Sequence, residues 1–104
     1  MKSRPLALQR LRYSKEIAMI IDVKGKRVIV TGASRGIGKA IARAYAKDGA
    51  KVAICSRTDS AIKDVGVVLD SDGAQDVIAL PVDVANTIQV REFVKTVAEK
   101  WGGV

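Results

Sequence analysis

The chain has 104 residues, enough for one small domain, with no histidine and a single cysteine, Cys55. That excludes an internal disulfide and a Cys/His metal centre, removes the commonest general base, and fits a reducing, cytoplasmic setting. The net charge of +7 is uneven: residues 1–18 hold Lys2, Arg4, Arg10, Arg12 and Lys15 against Glu16, while the rest, with 13 basic and 10 acidic groups, carries only +3. Attraction to a polyanion would therefore belong mainly to the leader, which argues against a nucleic-acid-binding domain. No apolar run approaches the length of a membrane span.

Residues 1–18 are basic, contain Ser3, Pro5 and Ser14, and place Leu6, Leu8, Leu11 and Ile17 in a loose amphipathic pattern. Three readings stay open: an organellar presequence, a basic surface-binding arm, or a non-native extension ahead of Met19. Residues 1–18 are expected to be a disordered leader or a non-native extension, ahead of residues 19–104, the N-terminal part of a domain that stops before its fourth strand.

A turn at Gly25 launches the first strand of that domain, about Arg27–Thr31. Its β-branched run Val28-Ile29-Val30 suits a parallel strand covered on both faces. A glycine-rich turn follows, then a helix from about Ile37 to Asp48 with Ile37, Ile41, Ala44 and Tyr45 on one face. Gly49 is placed to end it in a left-handed conformation. Val52–Cys55 reads as a second buried strand, with Cys55 a small core residue. The helix expected over Asp59–Ser71 turns Ala61, Val65, Val68 and Leu69 inward, starts at a Thr58 or Asp59 cap, and contains a costly Gly66. Val77–Leu80 is the third strand, continuing through Pro81-Val82-Asp83-Val84, and Pro81 marks a sheet edge or a strand end. Asn86 and Gln89 fit a capping box for a helix over about Thr87–Trp101, with Val90, Phe93, Val94, Val97 and Trp101 as its apolar stripe. Strand–helix alternation three times over predicts an α/β chain. The fold class is a partial Rossmann fold, three parallel strands alternating with three helices, equivalent to the first half of a doubly wound sheet. The first of those strands would then show one bare edge.

The turn Thr31–Gly38 reads TGASRGIG. Its spacing, G-x-x-x-G-x-G, is neither the G-x-G-x-x-G fingerprint nor a Walker A loop, where Ala40 would have to be Ser or Thr. By position, Gly32 permits the turn off the strand, Gly36 lets backbone approach a phosphate, and Gly38 lets the helix pack on the sheet. Helix N-terminal N–H groups there favour an anion. Ser56-Arg57 follows the second strand where an acidic residue would accept bonds from the ribose hydroxyls of NAD.

TGASRGIG resembles the TGxxxGxG cofactor motif of the short-chain dehydrogenase/reductase family. The lead-in KGKRVIVTG, the SR pair and PVDV extend the resemblance over about residues 24–104, most like the 3-oxoacyl-carrier-protein reductase and glucose dehydrogenase kinds. The resemblance implies a nicotinamide dinucleotide as ligand and a carbonyl or alcohol substrate in a full-length, homo-oligomeric form. Arg57 and Arg35 would hold a 2′-phosphate with a bond from Ser56, so NADP(H) is expected over NAD(H). Asp83, with Val84 beside it, would accept the adenine amino group. Ile37 would offer its N–H to the phosphates, and Ser34 would donate to ribose or phosphate. The family's Ser, Tyr and Lys, the last two in Y-x-x-x-K, have no match: Tyr13 is followed four residues on by Ile17 and Tyr45 by Gly49. N-N-A-G is missing too. The expectation is an N-terminal cofactor-binding fragment with no catalytic residue and no metal, inactive alone; the alternative is a stand-alone non-catalytic dinucleotide-binding or interaction module.

Overall fold

The structure, a computed structural model, describes residues 9–12, 18–21, 26–34 and 36–102. The elements run β1 (Gln9–Arg12), β2 (Ala18–Ile21), β3 (Arg27–Thr31), α1 (Gly36–Lys47), β4 (Lys51–Ser56), α2 (Asp59–Asp72), β5 (Asp76–Pro81) and α3 (Thr87–Lys100). Among the described residues, one sheet holds the five strands in the order β1-β2-β3-β4-β5. β3, β4 and β5 are parallel, with Thr31 opposite Cys55 and Ser56 opposite Pro81. The three parallel strands and three helices of the Rossmann half-fold are present as the sequence implies.

The β-branched runs explain why both faces are covered. Along β3, Val28 and Val30 point to one face and Ile29 to the other, as the two-residue period of a strand requires. α1 and α2 cover the first face, where Val28, Val30, Val52 and Ile54 meet Ala42, Ala46, Ile62 and Leu69. α3 covers the second, where Ile29, Ala53, Cys55 and Ile78 meet Phe93, Val97 and Trp101. Each Val, Ile, Leu or Phe side chain among them, fully buried, contributes roughly 1.5–3 kcal/mol, and each alanine less. Phe93 and Trp101 are core residues, and so is Cys55.

Four expectations need correction. The first concerns the edge of β3. It is not bare: β2 pairs with it antiparallel, Ile20 opposite Ile29, and β1 pairs with β2 in turn. β1 and Ala18 fall within residues 1–18, and both belong to the sheet. The rest of residues 1–17, including Tyr13, and the Gly25 turn lie outside the described residues.

The second concerns the buried faces of the helices. α1 buries Gly38, Ala42 and Ala46, while Ile37 and Ala44 are exposed and Ile41 and Tyr45 are only partly covered. The fully buried positions of α1 are thus all small residues, and Ile41 and Tyr45 pack at their margin. On α2 the buried set is Ile62, Val65, Gly66 and Leu69, with Ala61 and Val68 half-buried. Gly66 has a packing reason: a Cβ there would lie 3.1 Å from the Ala79 Cβ.

The third concerns caps. Thr58 sits at the α2 N-cap with no side-chain capping bond. Asn86 caps α3, its Oδ1 accepting from Ile88 N at 3.0 Å and Gln89 N at 3.1 Å. Gln89, however, reaches past Asn86 to Asp83. Gly49, with φ of +79°, ends α1 as expected.

The fourth concerns the length of β5, the far edge strand: it ends at Pro81 and does not continue through Val84, because Asp83 turns the chain, its carbonyl accepting from Asn86 N and its Oδ1 from Ala85 N. Its outward-facing groups are blunted. Pro81 has no N–H, Asp76 Oδ1 accepts the Val77 N–H at 2.9 Å, and Lys63 Nζ donates to the Ala79 carbonyl at 2.6 Å. A sheet edge so occupied is a poor template for another strand.

Candidate functional site

The strand register builds the site. Thr31 lies beside Cys55, and Ser56 beside Pro81, so β3, β4 and β5 end at one rim. The segments that leave that rim are the glycine turn, Ser56–Thr58 and Val82–Asn86. In an open parallel sheet this crevice outside the carboxyl ends of the strands is where ligands bind.

The glycine turn is tied down at its start. Gly32 N donates to the Cys55 carbonyl at 2.9 Å and Ala33 N to the same oxygen at 3.3 Å. Ala33 is fully buried in the core beneath the turn, a role that the sequence reading missed. Two glycines then act in different ways. Gly36 has φ of +60°, and a Cβ built on it would meet nothing within 4 Å. The space a side chain would take there is open. Gly38 is the reverse: a Cβ there would stand 2.5 Å from the Gly32 carbonyl oxygen and 3.2 Å from the Ala33 Cα. Only glycine lets α1 start this close to the turn. The first turn of α1 carries no acidic residue, so nothing of the helix's own opposes an anion at its N–H groups. Ile37 stands on that turn with 55% of its surface exposed. Ser34 is half-buried in the turn. Arg35 lies outside the described residues.

At the end of β4, Ser56 is 8% exposed, and its hydroxyl donates to the Thr58 carbonyl through a long 3.4 Å bond that a better acceptor could displace. Arg57 is exposed and makes no ion pair among the described residues. At the end of β5, Val82 N donates to the Ser56 carbonyl at 2.8 Å, which binds the two loops together. Asp83 is half-buried, and Val84 joins the core cluster under α3. Gly32, Ser34, Gly36, Ile37, Gly38, Ser56, Arg57, Asp83 and Val84 thus gather on one rim. The sequence reading missed the bond from Asp83 to Gln89, because a Gln three residues after an N-cap reads locally as reaching the cap itself.

Beneath the rim, burial pushes the Cys55 thiol up to about 12, which keeps it protonated and a poor nucleophile at neutral pH. Among the described residues no cluster of His, Cys, Asp and Glu is placed to hold a metal. No described helix is long and apolar enough to cross a membrane.

The opposite rim is chemically different. Arg43 donates from Nε to Asp72 Oδ2 at 2.8 Å and from Nη2 to Oδ1 at 3.1 Å, joining α1 to the end of α2. That bond holds the Asp72 carboxyl below its ordinary range, with Arg43 and Lys47 charges adding to it against a desolvation penalty. Trp101 Nε1 donates to Asp76 Oδ2 at 2.9 Å, and Lys100 Nζ stands 3.7 Å from the same oxygen. The indole bond is the main reason that Asp76 is also lowered, helped by the Val77 N–H and Lys100.

Comparison with known proteins agrees with this geometry. Residues 26–104 match the family model for short chain dehydrogenase. The chain is 38% identical over 81 residues to 11-beta-hydroxysteroid dehydrogenase-like 2 of Arabidopsis thaliana, covering 78% of this chain and 26% of that protein. The solved alcohol dehydrogenase of Thermococcus sibiricus, complexed with 5-hydroxy-NADP, superposes with a TM-score of 0.66 at 40% identity, over 71% of this chain and 32% of that one. A 3-ketoacyl-ACP reductase from Sinorhizobium meliloti 1021 superposes with a TM-score of 0.66 at 36% identity, over 71% of this chain and 29% of that one. The chain thus spans between a quarter and a third of the length of these three proteins. The matched region holds the glycine turn and all three parallel strands, and the chain belongs to the short-chain dehydrogenase family of NAD(P)-using oxidoreductases.

Proposed function

We propose that residues 19–104 are the N-terminal part of an NADP(H)-dependent carbonyl or alcohol oxidoreductase and hold the adenine half of its cofactor. The observation that carries the reading is the register, which brings the glycine turn, Ser56-Arg57 and Asp83 to one rim. The residues fit a dinucleotide. Open space over Gly36 accepts the pyrophosphate, the α1 N-terminus and the Ile37 N–H face it, and Gly32 and Gly38 keep the backbone low enough to admit it. Ser34 donates to ribose or phosphate. Arg57, exposed and without an ion pair among the described residues, supplies positive charge for a 2′-phosphate, with Ser56 giving up its weak bond to Thr58 and Arg35 as the second cation. Asp83 accepts the adenine amino group, and Val84 packs beside it. When bound, the nicotinamide supplies or takes the hydride exchanged with a carbonyl carbon.

Each charge-assisted bond of an arginine to the 2′-phosphate contributes about 1.5–3 kcal/mol, tenfold or more in affinity. Titration of the protein with NADPH and NADH tests this directly. Tighter binding of NADPH is expected; tighter binding of NADH contradicts the assignment of Arg57. The same reading places the protein in the cytoplasm. It assigns the carbonyl substrate and the homo-oligomeric assembly to a full-length form, and expects no NADPH oxidation by this chain with a β-keto substrate. Measurable turnover would refute that.

A second reading, a dinucleotide-binding module without turnover, gains support from β2, which covers the edge of β3. It requires a monodisperse monomer in size-exclusion chromatography that keeps dinucleotide affinity. Association that is relieved by a longer form of the chain favours the first reading.

A further inference from the structure

Asp83 is held at three of its four polar atoms by the six residues that follow it. Its carbonyl accepts from Asn86 N at 2.9 Å. Its Oδ1 accepts from Ala85 N at 3.0 Å. Its N–H donates to Gln89 Oε1 at 2.9 Å. Only Oδ2 has no hydrogen bond from the described residues.

The backbone explains why the third bond matters. β5 ends at Pro81, and Val82 makes the last contact with β4 through its N–H on the Ser56 carbonyl. The next N–H, that of Asp83, has no strand to bond to. Left to water, the loop could rotate about the Asp83 φ and turn the carboxylate away from the rim. Gln89 stops that rotation. It stands on the first turn of α3, its own N–H fixed by Asn86 Oδ1 at 3.1 Å, so its side chain projects from a capped, regular helix. The bond thus links the orientation of a rim carboxylate to a rigid element.

We propose that Gln89 is a positioning residue for adenine recognition: it fixes the Asp83 backbone so that the free carboxylate oxygen faces the rim as an acceptor. The inference rests on the dinucleotide reading above and adds to it a residue that touches no ligand. It acts on the adenine end alone, so it sets base selectivity and leaves the phosphate contacts as they are.

The test compares NADPH with its hypoxanthine analogue, in which a carbonyl oxygen replaces the adenine amino group and presents an acceptor to an acceptor. Affinities are measured for the wild-type chain, Gln89→Leu and Gln89→Glu, with thermal melts run alongside. The wild type prefers adenine by roughly tenfold, the size of one bond to a charged acceptor. Gln89→Leu, which removes the acceptor for Asp83 N–H, brings that preference to within about threefold and weakens NADPH more than the analogue. Gln89→Glu keeps an acceptor and restores the preference, which a loss of helix packing would not explain. Amide exchange in the ligand-free chain gives an independent readout: Asp83 N–H exchanges several-fold faster in Gln89→Leu, and the Gly32 and Ala33 amides keep their rates. Full adenine preference in Gln89→Leu, or an unchanged Asp83 exchange rate, overturns the inference while leaving dinucleotide binding intact. A wild-type chain that binds neither nucleotide overturns the dinucleotide reading itself, and the inference falls with it.

Discussion

The two rims of the parallel sheet use their polar groups in opposite ways. At the rim where β4 and β5 begin, carboxylates are spent on the protein itself: Asp72 on Arg43, Asp76 on Trp101 and Lys100. Those bonds tie α1 to α2 and α3 to β5, and they close the fold. At the rim where the strands end, one oxygen of Asp83 and the whole of Arg57 have no bond among the described residues, and backbone is exposed over Gly36. The first rim adds to stability, and the proposed binding uses the second. Unspent polar groups on a rigid rim are what a ligand can use, since it need not break protein bonds to gain its own.

Substitutions at the two rims should separate the two properties, and the expected effects on stability fall in order. Gly38→Ala has the largest. Its Cβ would stand 2.5 Å from the Gly32 oxygen, backbone that cannot yield without moving α1. A loss of about 3 kcal/mol in denaturant melts is expected, together with loss of dinucleotide binding; a wild-type melt would show that the helix has room. Gly36→Ala sits two residues away in open space at φ of +60°. It should cost only about 1–2 kcal/mol, from the left-handed backbone, yet weaken binding as severely, because the methyl fills the phosphate cradle. Equal stability losses for the two variants would contradict that distinction.

Acid titration probes the other rim. Asp72 and Asp76 both have carboxyls lowered from 3.8 in the folded chain. Their stabilisation is complete above that value and is lost as pH falls through the lower, folded values. Wild-type stability should therefore drop steeply below about pH 4, and Asp72→Asn/Asp76→Asn should show a shallower acid limb with unchanged NADPH affinity at pH 7. An identical acid limb would mean that neither bond survives in solution. Trp101→Phe removes the indole donor to Asp76 while keeping an aromatic ring. Because the Asp76 side chain is 36% exposed, solvent screens the bond, and a loss of about 1 kcal/mol in thermal melts is expected. Arg57→Ala is the smallest change to stability, within about 0.5 kcal/mol. It should weaken NADPH about tenfold and NADH hardly at all. Equal weakening of both would place Arg57 away from the 2′-phosphate.

The sequence carried the parallel half-sheet because its signals are local. Val28-Ile29-Val30 and Val52–Cys55 read as buried strands without knowledge of their partners, and Gly49 and Asn86 mark helix ends within a turn of themselves. The glycine turn was legible for the same reason. What was not legible depends on distant partners. Nothing near Ala33, Ala42 or Ala46 says that these small residues, rather than Ile37 and Ala44, are the buried ones; that depends on how α1 packs on the distant strands. Asp76 meets Trp101 across 25 positions and Asp72 meets Arg43 across 29. The pairing of β2 on β3 was hidden because Met19-Ile20-Ile21 follows a basic, polar stretch that resembles a leader. Gln89 carried the right local signal with the wrong target.

The central claim is that ligand binds at the rim where β3, β4 and β5 end. An amide-resolved NMR titration with NADPH tests it most directly. The account predicts shifts at residues 32–38, 56–58 and 82–85, with residues 72–76 and 99–101 unmoved. Shifts centred on the Asp72 and Asp76 rim, or none along the glycine turn at saturating NADPH, would contradict it.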